Sequence, residues 1–240
     1  MAHEHILKSF DTDLEHIRSG VLAMAGLVEQ QVTRAMAGLK SGDLGLIDEV
    51  IETDQRVNRY EVELDEACVR LIALRQPAAV DLRMVMTVIK TITDLERVGD
   101  EAKKIAKMAR SIHTAETGTT PRIDLSHLAD MAVAMLRDAL DAFARVDLNA
   151  SAQVVRKDKE VDAGFKGAMR QLITFMMEDP RTITRSLELL FVAKSIERVG
   201  DHAKNISEYV VYLAKGRDVR HIGHEATIAA IEEEAAKQGR

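Results

Sequence analysis

Apolar residues return at helical spacing along almost the whole chain. From Ile6 to about Lys40, Leu14, Ile17, Val21, Met24, Leu27, Val28, Val32, Ala35 and Leu39 recur every three or four positions, interrupted by Gln31, which predicts one long amphipathic helix. Ser41-Gly42-Asp43 ends it. A second helix is expected from Asp43 to Gln76, with Ile47, Val50, Val57, Leu64, Cys68 and Leu71 on a heptad seam. Asp54 and Glu61 fall on the same heptad position as Ile47 and Cys68, with Asn58 and Asp65 beside them, so a polar stripe runs along the core edge. Pro77 stops this helix and suits the first turn of the next.

The third helix, from about Ala78 to His113, carries Val85, Val88, Ile92, Leu95, Gly99, Ala102, Ala106 and Ala109 on its seam. Residues 114–124, with four threonines, Gly118 and Pro121, have neither periodicity nor bulk and read as a connection. A second triplet follows: Leu125 to about Val146, Asp147 to Glu178, and Pro180 to Gly216. Asp179-Pro180 stands where Gln76-Pro77 stood.

The two triplets align. Ala35 falls on Ala139, Asp43 on Asp147, Val50 on Val154, Asp54 on Asp158 and Val57 on Val161 without a gap, and Glu-Arg-Val-Gly-Asp occurs at 96–100 and again at 197–201. The expected organisation is therefore all-α with two repeats: residues 1–116, a linker at 117–124, residues 125–216, and a polar tail at 217–240 with a short surface helix from Glu225 to Gln238. Helical hairpins should turn at Pro77 and Pro180.

Composition narrows the function classes. The 240 residues are 46% hydrophobic with only 3% aromatic and three prolines, which suits long packed helices and leaves almost no strand. A net charge of −6 and the absence of a Lys/Arg block argue against nucleic-acid binding. The single cysteine, Cys68, excludes an intrachain disulfide and a multi-cysteine zinc site; it reads as core, and fits a reducing compartment. No apolar run reaches the length of a membrane span and the first residues are not a signal peptide, so a soluble, cytoplasmic protein is expected. There is no P-loop, nucleophile triad or glycine-rich phosphate cradle, so no enzyme is expected.

The chemistry on offer is carboxylate. In each nonamer a Glu and an Asp four residues apart share one helix face, Glu96 with Asp100 and Glu197 with Asp201. Folding the second and third helices of each triplet back about Pro77 or Pro180 brings Asp54 level with Asp100 and Asn58 with Glu96, then Asp158 level with Asp201 and Asp162 with Glu197. Partly buried carboxylates so gathered must be protonated, paired or bound to metal. Oxygen ligands favour Mg²⁺ or Mn²⁺, with iron or zinc left open. The bland alternative is a solvated face in which Asp100 pairs with Lys103 or Lys104 and Asp201 with Lys204. Gly99 and Gly200 admit two readings, close approach of an ion or simple seam packing. By charge count, a cation should prefer the second site, since Asn58 is neutral, unless Glu61 or Asp65 makes up the difference. The eight histidines share no metal-ligand spacing within a helix.

The two Glu-Arg-Val-Gly-Asp segments, Leu71-Ile72-Ala73-Leu74-Arg75-Gln76-Pro77 with Asp81-Leu82-Arg83, and Val21-Leu22-Ala23-Met24 leading to Leu27-Val28-Glu29 together resemble the PhoU family of bacterial phosphate-uptake and phosphate-regulon regulators. The resemblance covers nearly the whole chain. It implies two tandem, pseudo-symmetric three-helix bundles and Glu/Asp-x-x-x-Asp motifs that bind metal ions, here Asp54 with Asn58, Glu96 with Asp100, Asp158 with Asp162, and Glu197 with Asp201. It also implies a cytoplasmic, homodimeric negative regulator of the phosphate-starvation response that joins a phosphate ABC transporter, through its ATPase subunit, to a sensor histidine kinase. Two other classes compete: a ferritin-like carboxylate di-metal oxidase, which would need Glu-x-x-His pairs where Gly99 and Gly200 stand, and a metal-free structural helical adaptor.

Overall fold

The computed structural model describes residues 8–115, 119–219 and 224–238. The expected start of the first helix at Ile6, and Gly118 in the connection, lie outside them. The described part is helical, in the order α1 Lys8–Ser41, α2 Leu44–Arg75, α3 Val80–Thr114, α4 Ser126–Arg145, α5 Leu148–Glu178, a 3-10 turn Pro180–Thr182, α6 Ile183–Lys215 and α7 His224–Gln238. No helix among the described residues is long and apolar enough to cross a membrane.

Each boundary has a local cause. Gly42, at φ +73°, ends α1, and His113 Nε2 donates to the Leu39 carbonyl of the last turn at 2.8 Å. Asp43 then caps α2 by accepting from the Gly45 and Leu46 amides, and its repeat counterpart Asp147 caps α5 by accepting from the Ala150 amide. At the first hairpin tip, Gln76 and Ala79 both take positive φ, so α3 begins at Val80, two residues later than the proline position predicts. At the second tip Asp179 accepts from the Arg181 amide, and a single 3-10 turn precedes α6.

α1 and α2 pack on α3, and α4 and α5 pack on α6, giving two three-helix bundles. Their cores are the predicted seams: Ile17, Val21, Met24, Val28 and Val32 of α1 meet Ile47, Val57, Ile92 and Leu95, all essentially without solvent exposure. The bundles join through α3 and α6, which run antiparallel, since Asp94 meets Tyr209 while Ser111 meets Glu188. The tail helix α7 lies on α5, burying Ile231 and pairing Glu225 with Lys159 and Glu232 with Arg156. Cys68 is core, and burial followed by the nearby Asp65 charge pushes its thiol up to about 12.

Candidate functional site

The two nonamers occupy equivalent places, midway along α3 and α6. Their glycines serve packing. A Cβ on Gly99 would meet Val57 Cγ1 at 3.1 Å and Gln31 Oε1 at 3.2 Å, and one on Gly200 would meet Val161 Cγ1 at 3.3 Å. Val57 and Val161 are repeat counterparts, so each bundle brings the same valine onto the same glycine.

That packing sets how the two hairpin helices face each other, with Val57 seated on Gly99 and Val161 on Gly200. Lys103 reaches across from α3: its ammonium donates to Asp54 Oδ2 at 2.6 Å and lies 3.8 Å from Asp100 Oδ1, so one cation serves both acids. Lys204 does the same to Asp158 Oδ2 at 2.7 Å. These aspartates are 2% and 6% exposed, and an ion pair compensates each buried charge among the facing acids. The lysines are the eighth residues of the repeated segments Glu96–Lys103 and Glu197–Lys204. They act along their own helix, on Asp100 and Asp201, as local spacing suggests, and also across the hairpin, which local spacing does not disclose. Asp54 Oδ1 is buried with no hydrogen-bond partner.

The neighbours of Glu96 also differ from those that equal distances from Pro77 predict. Asn58 is exposed, and Glu61 faces Glu96 instead. Burial, then Asp100, Glu61 and Asp54, raise the Glu96 carboxyl above the usual carboxylate range. Glu61 is raised in turn by burial, Asp65 and Asp100, with Arg97 opposing. Glu61 and Asp65 line a cleft of about 300 Å³ with Val62, Ile92 and Thr93.

The second cluster is built differently. Burial, then Glu197 and Asp158, push Asp201 up to about 6 against the lowering effect of Lys194 and Lys204. Asp162 is half-buried and is not among the charges that act on Asp201. Lys194 donates to Glu197 Oε2 and lies 5.4 Å from the centre of the Phe165 ring. In the repeat, Lys194 stands where the first half has Thr93, and Phe165 where it has Glu61. The first cluster thus gains two acids, Glu61 and Asp65, while the second carries an added cation.

Burial first, and then neighbouring carboxylates, hold Glu61, Glu96 and Asp201 up, and the side chains gathered there offer oxygen donors, the type hard cations take. Among the described residues, no three His, Cys, Asp or Glu side chains converge into a preformed cage. Exposed apolar residues flank both clusters. Val62, Val69, Leu82 and Met86 lie on the first hairpin, and Ile173, Met177, Ile183, Leu187 and Phe191 on the second.

Residues 21–109 and 125–210 each match the PhoU domain. The chain belongs to the PhoU family. The two matched segments coincide with the two bundles and their nonamers. The chain is 48% identical over 230 residues to a phosphate-specific transport system accessory protein PhoU homolog of Pseudomonas putida, covering 95% of this chain and 89% of that one. It is 47% identical over 221 residues to the phosphate-specific transport system accessory protein PhoU of Escherichia coli K12, covering 92% and 91%. The fold matches the crystal structure of PhoU from Pseudomonas aeruginosa with a TM-score of 0.83 at 45% identity, over 87% of this chain and all of that one. A phosphate transport system regulatory protein PhoU from Streptococcus pneumoniae matches with a TM-score of 0.80 at 28% identity, over 88% and 99%.

Proposed function

We propose that this protein is a non-catalytic accessory and regulatory protein of phosphate transport. It acts in the cytoplasm as a helical adaptor between the ATPase subunit of a phosphate ABC transporter and a phosphate-sensing histidine kinase, and restrains the phosphate-starvation response when phosphate is plentiful. Its relatives' names place them with the phosphate-specific transport system. The observation that carries the adaptor role is the pair of exposed apolar stripes at the hairpin tips, Leu82 with Met86 and Ile183 with Leu187 and Phe191, the kind of surface that seeks protein partners.

Deleting the gene and measuring a phosphate-starvation reporter in high phosphate tests the regulatory role. De-repression that the intact gene restores supports it, and an unchanged reporter overturns it. Pull-downs at high and low phosphate test the partners. Substituting Leu187 and Phe191 with Ser is expected to release at least one of the two named proteins while leaving the fold intact by circular dichroism.

We further propose that the acidic clusters hold divalent cations, Mg²⁺ or Mn²⁺ before iron or zinc. Glu96, Asp100, Glu61 and Asp54 would serve in the first half, and Glu197, Asp201, Asp158 and Asp162 in the second. A bound cation would neutralise the mutual repulsion of these carboxylates and so stabilise the hairpins. The raised carboxyls of Glu96 and Asp201 support this reading. Glu-x-x-His pairs of the ferritin-like kind are absent from both nonamers, which disfavours an oxidase.

A further inference from the structure

The seam between the bundles is built from duplicated helices but is not symmetric. Asp94 of α3, 2% exposed, accepts three hydrogen bonds from α6: His202 Nδ1 at 2.7 Å and Asn205 Nδ2 at 3.2 Å on Oδ1, and Tyr209 OH at 2.7 Å on Oδ2. Glu101 of α3, also buried, accepts from Arg198 of α6 at 3.1 Å and from Lys104 of its own helix at 2.8 Å. In the bonds to Asp94 and Glu101 the carboxylate is on α3 and the crossing donor on α6, whereas at the far end of the seam Ser111 of α3 donates to Glu188 of α6.

The repeat makes this division informative. The offset that carries Glu96 onto Glu197 carries Asp94 onto Ser195, Glu101 onto His202, Lys104 onto Asn205 and Met108 onto Tyr209. A second copy's α3, placed in the seat of α6, would bring Glu101 to where His202 stands and Met108 to where Tyr209 stands. Asp94 would then exchange its two short bonds for a like charge and a thioether. Lys104 would offer a donor in place of Asn205, and Arg97 would keep Glu101 paired, but the shorter contacts to Asp94 would be lost at both ends of the pair. Two copies of α6 would place Ser195 against His202 and Tyr209, with no carboxylate at these positions. Asp94 keeps its full set of donors in one arrangement only, α3 against α6.

We propose that these residues form a pairing code between the halves. The inner face of α3 fits the inner face of an α6 and rejects another α3, so the duplicated bundles do not assemble with their own kind. Specificity of this sort needs the repulsive element as well as the attractive one. Here the same Asp94 and Glu101 supply both. In a second copy of the chain, this seam accepts only a reciprocal exchange of halves, and any association between intact copies uses other surfaces.

The test uses the full chain. A half-transplant gives α3 the α6 code through Asp94→Ser, Glu101→His, Lys104→Asn and Met108→Tyr. A complete exchange adds Ser195→Asp, His202→Glu, Asn205→Lys and Tyr209→Met. The half-transplant is expected to lower the Tm by roughly 5–10 °C, and the complete exchange to recover at least half of that loss. A half-transplant within about 2 °C of the original chain would overturn the code. So would a complete exchange as unstable as the half-transplant. Should the half-transplant not fold, Asp94→Asn supplies the second measurement: hydrogen exchange is expected to speed at α3 and α6 amides near the seam while the outer helices α2 and α5 keep their protection. Unchanged exchange at the seam overturns the proposal equally.

Discussion

Lys103 reaches across the first hairpin and seats its ammonium on Asp54, 2.6 Å from Oδ2, while staying 3.8 Å from Asp100 Oδ1 on its own helix. Lys204 and Asp158 repeat the contact in the other half. The pairing explains how a nearly fully buried aspartate survives in each bundle. It also makes each lysine a structural residue despite its partly exposed side chain.

Replacing Lys103 with Met should leave Asp54 charged, buried and without its donor. The expected loss is on the order of 2–3 kcal/mol, below the usual range for breaking a buried pair because the lysine is partly solvated. Denaturant unfolding measures it. Asp54→Asn in the same background should return part of the loss, and equal stability of the original and Lys103→Met chains would show that water compensates Asp54.

The acid limb of the stability curve should carry Asp201. Its folded-state value of about 6 stands above the ordinary 3.8, so the folded protein binds this proton more tightly than the unfolded chain does. Protonation therefore stabilises, and this contribution is lost as pH rises from about 4 to about 6. Asp201→Asn should remove that slope and raise stability at neutral pH by on the order of 1–2 kcal/mol, after allowance for solvent around a half-buried group. Glu96→Gln and Glu61→Gln should act in the same direction. Thermal unfolding across this pH range decides the matter, and a parallel curve for Asp201→Asn would contradict it.

On the proposed cation reading, charge count in the sequence ranks the second site above the first, and the side-chain neighbours favour the opposite order. Glu61 and Asp65 join the first cluster, whereas Lys194 already occupies Glu197 in the second. In a Mn²⁺ titration followed by Tm and by elemental analysis, Glu96→Gln/Asp100→Asn should lose the tighter phase, and Glu197→Gln/Asp201→Asn the weaker. Lys194→Gln should tighten the second site by on the order of tenfold. A larger loss from the second-half variant would restore the ranking by charge count.

Two glycines in long helices should respond oppositely to alanine. Nothing lies within 4 Å of a Cβ placed on Gly26, so Gly26→Ala should stabilise by roughly 0.5–1 kcal/mol through helix propensity. Gly99→Ala must push Val57 and Gln31 apart, and overpacking should outweigh the same propensity gain by about 1 kcal/mol. Chemical denaturation of the two variants side by side checks both signs.

Helix positions, both hairpins, the duplication and the family were legible in the chain, because apolar period, proline, glycine and capping aspartates act over a few residues. Asp43 and Asp147 cap where the alignment of halves pairs them. Ile47, Val57 and Leu95 are core as their spacing requires. Which charges meet was legible along a helix, as for Asp100 with Lys103, and not between helices. The positive φ of Gln76 and Ala79 shapes the hairpin tip, and Val57 seats on Gly99 farther along it. That the Lys103 ammonium reaches Asp54 as well as Asp100 is decided across the hairpin. The same holds for Glu61 against Glu96, and for Asp94 against His202 and Tyr209 from more than a hundred residues away. Period is a property of one helix and can be read from its own residues. Register between helices is set by the packing of many side chains at once, so only the tertiary structure decides it.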